Sequence, residues 1–290
     1  MRTPTFRQVS VLPGVWPSPG LLDELGPISE MPLIKLTEWP PTGAAMTPFA
    51  HTDALLAGWK DKLDAARLSR LPSLRYIGLR STSTDGIDLE YTRRRGINVS
   101  PIYGYGDTGT VEFVVEQMLQ HARSGEGTPG ELAGRRLGLI GHGAVARGVG
   151  RVAAALGMDV VFHTPTRRQT REGEPRWLPL REVLRSADIL SFHSPAYQHV
   201  VACEDLRLIS SATLVVITTL GLPMAESDFA TWQSTRDGHT VMDLCAAHAT
   251  ADATLRIPGV EVRNLYAART VESVKRAERQ LIENLLAALT

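Results

Sequence analysis

The sequence predicts an α/β protein, a doubly wound parallel-sheet domain joined to a second, smaller α/β domain. Three observations carry this reading. Short apolar runs alternate with helical stretches along most of the chain, the pattern of a parallel sheet covered by helices. One stretch, residues 137–164, runs strand, glycine turn, helix, strand without a break. A Ser/Gly/Pro-rich segment at 124–130, SGEGTPG, has the composition of a linker.

In chain order, residues 7–12 read as a short strand and Pro19–Leu25 as a short helix, whose start is set by the Ser18–Pro19 pair. Residues 32–36 form a further strand, and 38–48, with Pro40, Pro41, Gly43 and Pro48, form a loop. Apolar runs at 53–58 and 75–79 flank a helical stretch at 62–71, and a helix at 88–96 leads into a strand at 97–99. A long helix spans about 108–123, with Val111, Val114, Val115, Met118 and Leu119 on one face. Beyond the 137–164 unit, 177–187 reads as helix, 188–192 as strand, 206–211 as short helix, and 213–218 as a strand apolar enough to be buried on both faces. Strands follow at 240–244 and 260–262. Thr270 caps a final helix carrying Val271, Val274, Leu281, Ile282, Leu285 and Leu286 at helical spacing.

The 137–164 unit carries the chemistry. Gly141 permits a tight turn after the strand, Gly143 lets backbone approach a pyrophosphate, and the third position requires a small residue, here Ala146. The free N–H groups of the first helical turn, around Ala144 and Val145, and the positive end of the helix dipole then face a diphosphate. His142, inside the turn, is placed to contact phosphate. The strand–turn–helix–strand frame makes this a dinucleotide site rather than a bare turn.

Composition narrows the alternatives. A net charge of +0, with 31 basic residues scattered along the chain, provides no electrostatic footprint for nucleic acid or an anionic membrane. Two cysteines, Cys203 and Cys245, lack metal spacing and fit a reducing cytoplasm. No run approaches the ~20 apolar residues of a membrane span. The expected partner is a small-molecule substrate.

Four stretches together resemble the D-isomer-specific 2-hydroxyacid dehydrogenase family: LRYIGLRSTSTDGIDLE (74–90), INVSPIYGYGDTGTVEF (97–113), the glycine unit, and ADILSFHSP (187–195). The resemblance implies a Rossmann nucleotide domain at 103–270 and a flavodoxin-like substrate domain built from 1–102 and 271–290, with the active-site cleft at the hinge. It also implies a nicotinamide cofactor and a homodimer, although the usual dimer arm is trimmed here to about 124–135.

Carried over residue by residue, the family pattern places the cofactor on Gly141, Gly143 and Ala146. Thr219 falls in the turn beside it, and Asp243 matches the aspartate that touches the nicotinamide amide. A strand-end cap is the alternative for Asp243. NAD-using relatives place an acidic residue about twenty positions beyond the glycines to accept from the ribose hydroxyls. That position here is Thr164, followed by Arg167 and Arg168. A neutral side chain removes repulsion toward a 2′-phosphate and guanidinium forks suit one, so NADP(H) is expected over NAD(H). Two arginines on a solvated loop is the alternative.

The catalytic positions depart from the pattern. The arginine that pairs with the substrate carboxylate falls on Gly221, the glutamate on His248, and the histidine on Leu265, or on Tyr266 if the spacing slips by one. A positioned acid/base contributes ~10²- to 10⁴-fold, so standard 2-hydroxyacid oxidation is not expected. Replacement candidates are His248 for proton transfer, Tyr266 as a hydrogen-bond donor, and Arg80 as an anion-holding cation. Ser81, Thr82 and Ser83 form the loop that in the family offers backbone N–H groups to the substrate, and Tyr105 is a candidate lining residue. The expected function is an NAD(P)-dependent oxidoreductase with a rebuilt site. The alternatives are an inactive nucleotide-binding scaffold or regulatory protein, and a nonredox lyase or isomerase.

Overall fold

The computed structural model describes residues 5–38, 49–124, 130–169 and 174–290. The chain divides into two compact units, Met1–Tyr105 with Val274–Thr290, and Gly106–Ser273. The predicted loop at 38–48 falls almost wholly outside the described residues, as does most of the predicted linker at 124–130.

The smaller unit starts with β1 (Val9–Val11), α1 (Pro19–Leu25), β2 (Ile34–Lys35), β3 (Ala54–Gly58), α2 (Ala65–Leu68), β4 (Tyr76–Arg80), α3 (Leu89–Arg94) and β5 (Asn98–Pro101). Its five strands lie parallel in the order β2-β1-β3-β4-β5. Helix α1 starts where the Ser18–Pro19 pair places it, the Leu21 amide donating to Ser18 Oγ at 3.1 Å. Asp88 likewise caps α3, accepting from the Tyr91 amide at 2.8 Å. The helix expected over 62–71 is only the four-residue α2, capped by Asp64 and ending before Leu71 and Pro72. Strands β3 and β4 are buried along their whole length. Their alternate side chains feed two cores, Leu55, Ala57, Ile77 and Leu79 on one face and Leu56 and Tyr76 on the other.

The larger unit contains α4 (Asp107–Arg123), β6 (Arg136–Ile140), α5 (Ala144–Ala155), β7 (Asp159–His163), β8 (Arg176–Trp177), α6 (Leu180–Ser186), β9 (Ile189–Phe192), α7 (Cys203–Leu206), β10 (Leu214–Ile217), α8 (Glu226–Ser234), β11 (Thr240–Met242), α9 (Leu244–His248), α10 (Asp252–Leu255) and β12 (Val260–Val262). Its seven strands are parallel in the order β12-β11-β10-β9-β6-β7-β8. The order reverses between β6 and β9, and their carboxyl ends are therefore the switch point of the sheet.

Three local expectations are corrected here. The helix expected over 177–187 is shorter: Trp177 belongs to an edge strand, β8, hydrogen-bonded to β7, and the helix itself, α6, starts after Pro179. The helix expected over 206–211 lies earlier, at α7, with Glu204 and Asp205 in its first turn; Leu206 and Ile209 are buried because that connection packs onto the core. Helices α8, α9 and α10 were not expected.

The last helix, α11 (Val271–Ala287), starts at a reciprocal cap: the Ser273 amide donates to Thr270 Oγ1 at 3.1 Å, and the Thr270 amide to Ser273 Oγ at 2.8 Å. Its residues Ala277, Leu281, Ile282 and Leu285 complete the core around Phe6, Val9, Leu56 and Tyr76 in the smaller unit. Among the described residues no helix is long and apolar enough to cross a membrane, and no cluster of His, Cys, Asp or Glu has metal-binding geometry.

Candidate cofactor and substrate site

At the switch point of the larger unit, Gly141 follows β6 with φ +108°, a conformation open to glycine and strained for other residues. A Cβ at this position would stand 2.4 Å from the His193 carbonyl oxygen. That carbonyl cannot easily yield, since the His193 amide donates to Ile140 at 2.7 Å. Gly143 is different. Its φ is −73° and the space where a Cβ would project is open, so nothing among the described residues requires glycine there. Ala146 is fully buried in the core under α5, which explains the small third position. Ala144 is exposed and Val145 half-buried. Helix α5 has no side-chain cap and no acidic residue in its first turn, so its leading amides are left for water or an anion.

The His142 ring lies flat on Phe162, centroids 3.8 Å apart and planes at 17°. Its Nδ1 is buried without a hydrogen bond, and burial, reinforced by Arg147 and Arg168, lowers its pKa below the usual histidine value. The ring is thus committed to the sheet, and the turn presents backbone.

At the carboxyl end of β7, the Thr164 hydroxyl donates to the Thr166 carbonyl at 2.8 Å, and Trp177 Nε1 donates to the Thr164 carbonyl at 3.0 Å. The Arg167 guanidinium stands 5.8 Å from the Trp177 ring centre, and Arg167 and Arg168 are both exposed. Thr164 itself is uncharged, and the Glu174 carboxylate acts on His142 against the two arginines.

The turn after β10 is closed on itself. Thr219 is buried, and its hydroxyl donates to the Gly221 carbonyl at 2.8 Å. Gly221 has φ +80°, and a Cβ there would lie 3.0 Å from Cδ1 of Tyr197, itself left-handed at φ +55°. The Tyr197 amide donates to the Leu220 carbonyl at 2.7 Å. Sequence reasoning missed Tyr197; its signal is geometric, a non-glycine residue held in an unfavourable conformation in the turn between β9 and α7.

Asp243 caps α9. Its Oδ1 accepts from the amides of Cys245 (3.1 Å) and Ala246 (3.0 Å), and its Oδ2 from that of Ala267 (2.9 Å). The carboxylate thereby ties α9 to the turn that holds Leu265 and Tyr266. Burial pushes the Asp243 pKa up to about 6 against the opposing pull of these amides. Leu265 is 46% exposed, Tyr266 half-buried, and His248 exposed at the end of α9.

Burial pushes the His193 pKa down to about 4; its Nε2 lies 2.9 Å from Ser191 Oγ. His193 is therefore held neutral, and its stabilising contribution is full above about pH 6.5 and lost as pH falls toward 4. Asp243 is shifted the other way: its contribution is full below about pH 3.8 and lost as pH rises through about 6. The two slopes oppose one another between about pH 4 and 6. Replacing His193 by glutamine should leave the Asp243 slope exposed, so acidification from pH 6.5 to 4.5 should cost the variant less stability than it costs the parent. Each unit of pKa shift corresponds to about 1.4 kcal/mol. Urea midpoints at the two pH values check this, and equal slopes in parent and variant contradict it.

In the smaller unit, Arg80 closes β4 and is buried, Nη1 donating to the Val15 carbonyl at 2.6 Å. Ser81 is buried and Thr82 exposed. The Ser83 amide donates to Ser81 Oγ at 3.0 Å, and the Ser83 hydroxyl to Asp85 at 2.7 Å. Ser83 takes ordinary backbone angles, so a side chain fits where the family pattern has glycine. The amide at this position is already used inside the loop. The half-buried Tyr105 packs on the α11 side of the core, and its carbonyl accepts from Arg276 Nε at 3.0 Å.

A parallel sheet with a glycine turn and an uncapped helix at its switch point, in a chain that also carries a second open α/β unit, has the organisation of a two-unit nucleotide-binding protein. Residues 26–290 match the D-isomer specific 2-hydroxyacid dehydrogenase catalytic domain, and the chain belongs to that family. It is 28% identical over 211 residues to a glyoxylate reductase of Aeropyrum pernix, covering 63% of this chain and 62% of that one. It is 29% identical over 269 residues to the (S)-sulfolactate dehydrogenase of Chromohalobacter salexigens, covering 83% and 85%. Among solved structures, the D-lactate dehydrogenase of Aquifex aeolicus, in complex with NAD and lactic acid, superposes with a TM-score of 0.81 at 20% identity over 97% of this chain and 95% of that one. The last likeness establishes the fold.

Proposed function

We propose that this chain is an NADPH-dependent reductase of carbonyl or related sp² centres, built on the 2-hydroxyacid dehydrogenase scaffold but without that family's usual anion clamp and proton donor. What supports it most is a contrast within one unit: the Gly141 turn has the left-handed conformation and the open surface at Gly143, while the resemblance assigns the family's arginine and histidine positions to Gly221 and Leu265.

The residues present fit a dinucleotide. Gly141 leaves no room for a Cβ, Gly143 leaves space above the turn, and the amides of Ala144, Val145 and Ala146 start an uncapped helix. Arg167, Arg168 and neutral Thr164 at the end of β7 suit a 2′-phosphate. When bound, NADPH supplies a hydride to the electrophilic carbon of the substrate. The chain's own task is to hold the substrate and deliver one proton to the atom that gains charge. The Tyr266 hydroxyl is the donor we assign, oriented by the turn that Asp243 fixes through the Ala267 amide. His248 is the second candidate, exchanging that proton with solvent. Within the smaller unit, Arg80 holds the loops through Val15, and Ser81, Thr82 and Ser83 are its candidate substrate-binding residues. Asp243 serves as the structural cap on which this arrangement depends.

A panel of 2-keto acids, aldehydes, imines and enones, assayed by NADPH oxidation, tests the reading. Turnover of at least one class is expected, with glyoxylate and pyruvate slower by ~10²- to 10⁴-fold than is usual for a positioned acid/base. Tyr266→Phe should lower kcat at least tenfold with little change in the binding of NADPH. No turnover with any class, combined with NADPH-induced thermal stabilisation, would favour a nucleotide-binding scaffold, the reading that the uncharged Gly221 and exposed Leu265 also suit. For the oligomer we propose a homodimer that covers the apolar strip of α4 and α5, where Leu119, Val152 and Leu156 are 41%, 37% and 38% exposed. Light scattering at the monomer mass of 31.6 kDa would contradict it.

A further inference from the structure

In the larger unit, the carboxyl-terminal half of α4 is fastened to the edge strand β12 by a run of polar side chains that the proposed reaction does not use. Arg263, just past β12, is its centre. The guanidinium donates to α4 twice, from Nε to Gln117 Oε1 at 2.7 Å and from Nη2 to Gln120 Oε1 at 2.5 Å, while Nη1 pairs with Glu261 Oε1 at 2.5 Å. The other oxygen of Glu261 accepts from His239 Nε2 at 2.9 Å. The His239 ring stands 6.1 Å, centre to centre, from that of His121, which returns the run to α4. Arg135 lies beside the end of the same helix: a Cβ on Gly130 would be 2.5 Å from Arg135 Nη2 and 3.3 Å from the Ala122 carbonyl oxygen. Gln117 is buried, and His121, Arg135, His239, Glu261 and Arg263 are half-buried, so these charges are only partly screened by solvent. Arg263 also opens the turn that carries Leu265 and Tyr266. Its amide donates to the Met242 carbonyl at 2.8 Å, its carbonyl accepts from the Leu265 amide at 2.7 Å, and the Leu265 carbonyl accepts from the Leu244 amide at 2.9 Å.

We propose that His121, His239, Glu261 and Arg263 form a proton-sensitive latch, which positions the Tyr266 turn by holding Arg263 to α4 and releases it in acid. This rests on the reductase reading for the role of Tyr266; the latch itself is a property of the larger unit. Among the described residues, the titratable and charged groups that act on His121 are His239 and Arg135, with Glu261 and Arg263 behind His239. While both imidazoles are neutral, Glu261 balances Arg263 and accepts from His239. Charging both places four cations, His121, His239, Arg135 and Arg263, around the one carboxylate of Glu261. His239 then has Glu261 as its partner. His121 does not: burial first, then His239 and Arg135, hold its pKa below the ordinary 6.5. The closed latch therefore takes the His121 proton less readily than an open one. Its contribution is full above about pH 6.5 and is lost as pH falls through the lowered value. Repulsion then pushes the end of α4 away from His239 and strains the two bonds that Arg263 makes to that helix.

Amide hydrogen exchange of the full chain at pH 7.5 and 5.0, corrected for intrinsic rates, tests the latch without any ligand. In the parent, the amides of Leu265, Ala267 and residues 120–123 should lose roughly tenfold in protection at pH 5.0 relative to those of β6 and β9. An open form with an ordinary histidine gains at most ~30-fold over the ~1.5 pH units below 6.5. His121→Gln, which stays polar and takes no charge, should lose less than about threefold. Asp243 titrates in both proteins, so the comparison cancels its effect. His239→Gln should raise the His121 pKa toward 6.5 in a proton NMR titration, a change that a merely structural contact would not produce. If His121→Gln does not fold, this titration decides. Equal losses of protection in His121→Gln and parent, no loss in the parent, or an unmoved His121 titration in His239→Gln would each overturn the proposal. An acid-sensitive latch in a protein without any NADPH-dependent turnover would instead leave the latch standing and remove the reductase reading.

Discussion

Gly141→Val is expected to abolish the rise in melting temperature that NADPH gives the parent protein and to lower the stability of the unliganded chain by about 2–4 kcal/mol. At φ +108° any side chain is strained, and the new Cβ would meet the His193 carbonyl oxygen at 2.4 Å. That oxygen belongs to backbone anchored through Ile140 at the end of two central strands. The turn therefore has to move, and the amides of residues 142–145 move with it. In the parent, ligand at about 100 times its Kd adds ~2.7 kcal/mol of stability; in the variant the melting curves with and without NADPH should coincide. Gly143→Ala provides the contrast. Ordinary backbone angles and open space there predict native stability, with a methyl group obstructing only the approaching diphosphate. A Gly143→Ala protein that melts like the parent yet binds NADPH at least tenfold more weakly would separate the turn's binding role from its folding role. Full NADPH stabilisation of Gly141→Val would refute the assignment of this turn.

Reversing the charge at the end of β7, with Arg167→Glu and Arg168→Glu together, is the second large effect. A charge-assisted hydrogen bond contributes ~1.5–3 kcal/mol where water is partly excluded. Both arginines are exposed, so solvent screening places the loss toward the lower bound. At low salt NADPH affinity should fall roughly hundredfold for the pair, and the difference should shrink as salt shortens the Debye length below ~10 Å. NADH, which has no 2′-phosphate, should bind the variant as it binds the parent. Adding Thr164→Asp should favour NADH further, because a carboxylate there accepts from ribose hydroxyls and repels phosphate. Competitive titration of both nucleotides measures this, and parallel losses for NADPH and NADH would assign the two arginines to a general structural role.

The parts of this fold that sequence reasoning reaches are those decided locally. Ser18 and Pro19 specify the start of α1 because cap and first-turn chemistry involve only neighbouring residues. The glycine unit is legible because strand, turn, helix and strand follow one another in a single run. Edge structure is less legible. Arg176 and Trp177 form a strand because β7 offers them a partner, a long-range fact, although Pro179 marks the start of α6 in the sequence itself. Position counting from the resemblance leads to Gly221 and Leu265, but the surroundings of those residues are tertiary: Tyr197 lies over Gly221, and Asp243 joins α9 to the turn at Ala267 across twenty-four residues.

The central claim is that the turn after β6 binds a 2′-phosphorylated dinucleotide. Calorimetric titration of the unmodified chain with NADPH and with NADH at low salt tests it most directly. One saturable site per chain is predicted, with NADPH bound at least tenfold tighter than NADH. Heat from neither nucleotide, or equal affinity for both, would contradict the account.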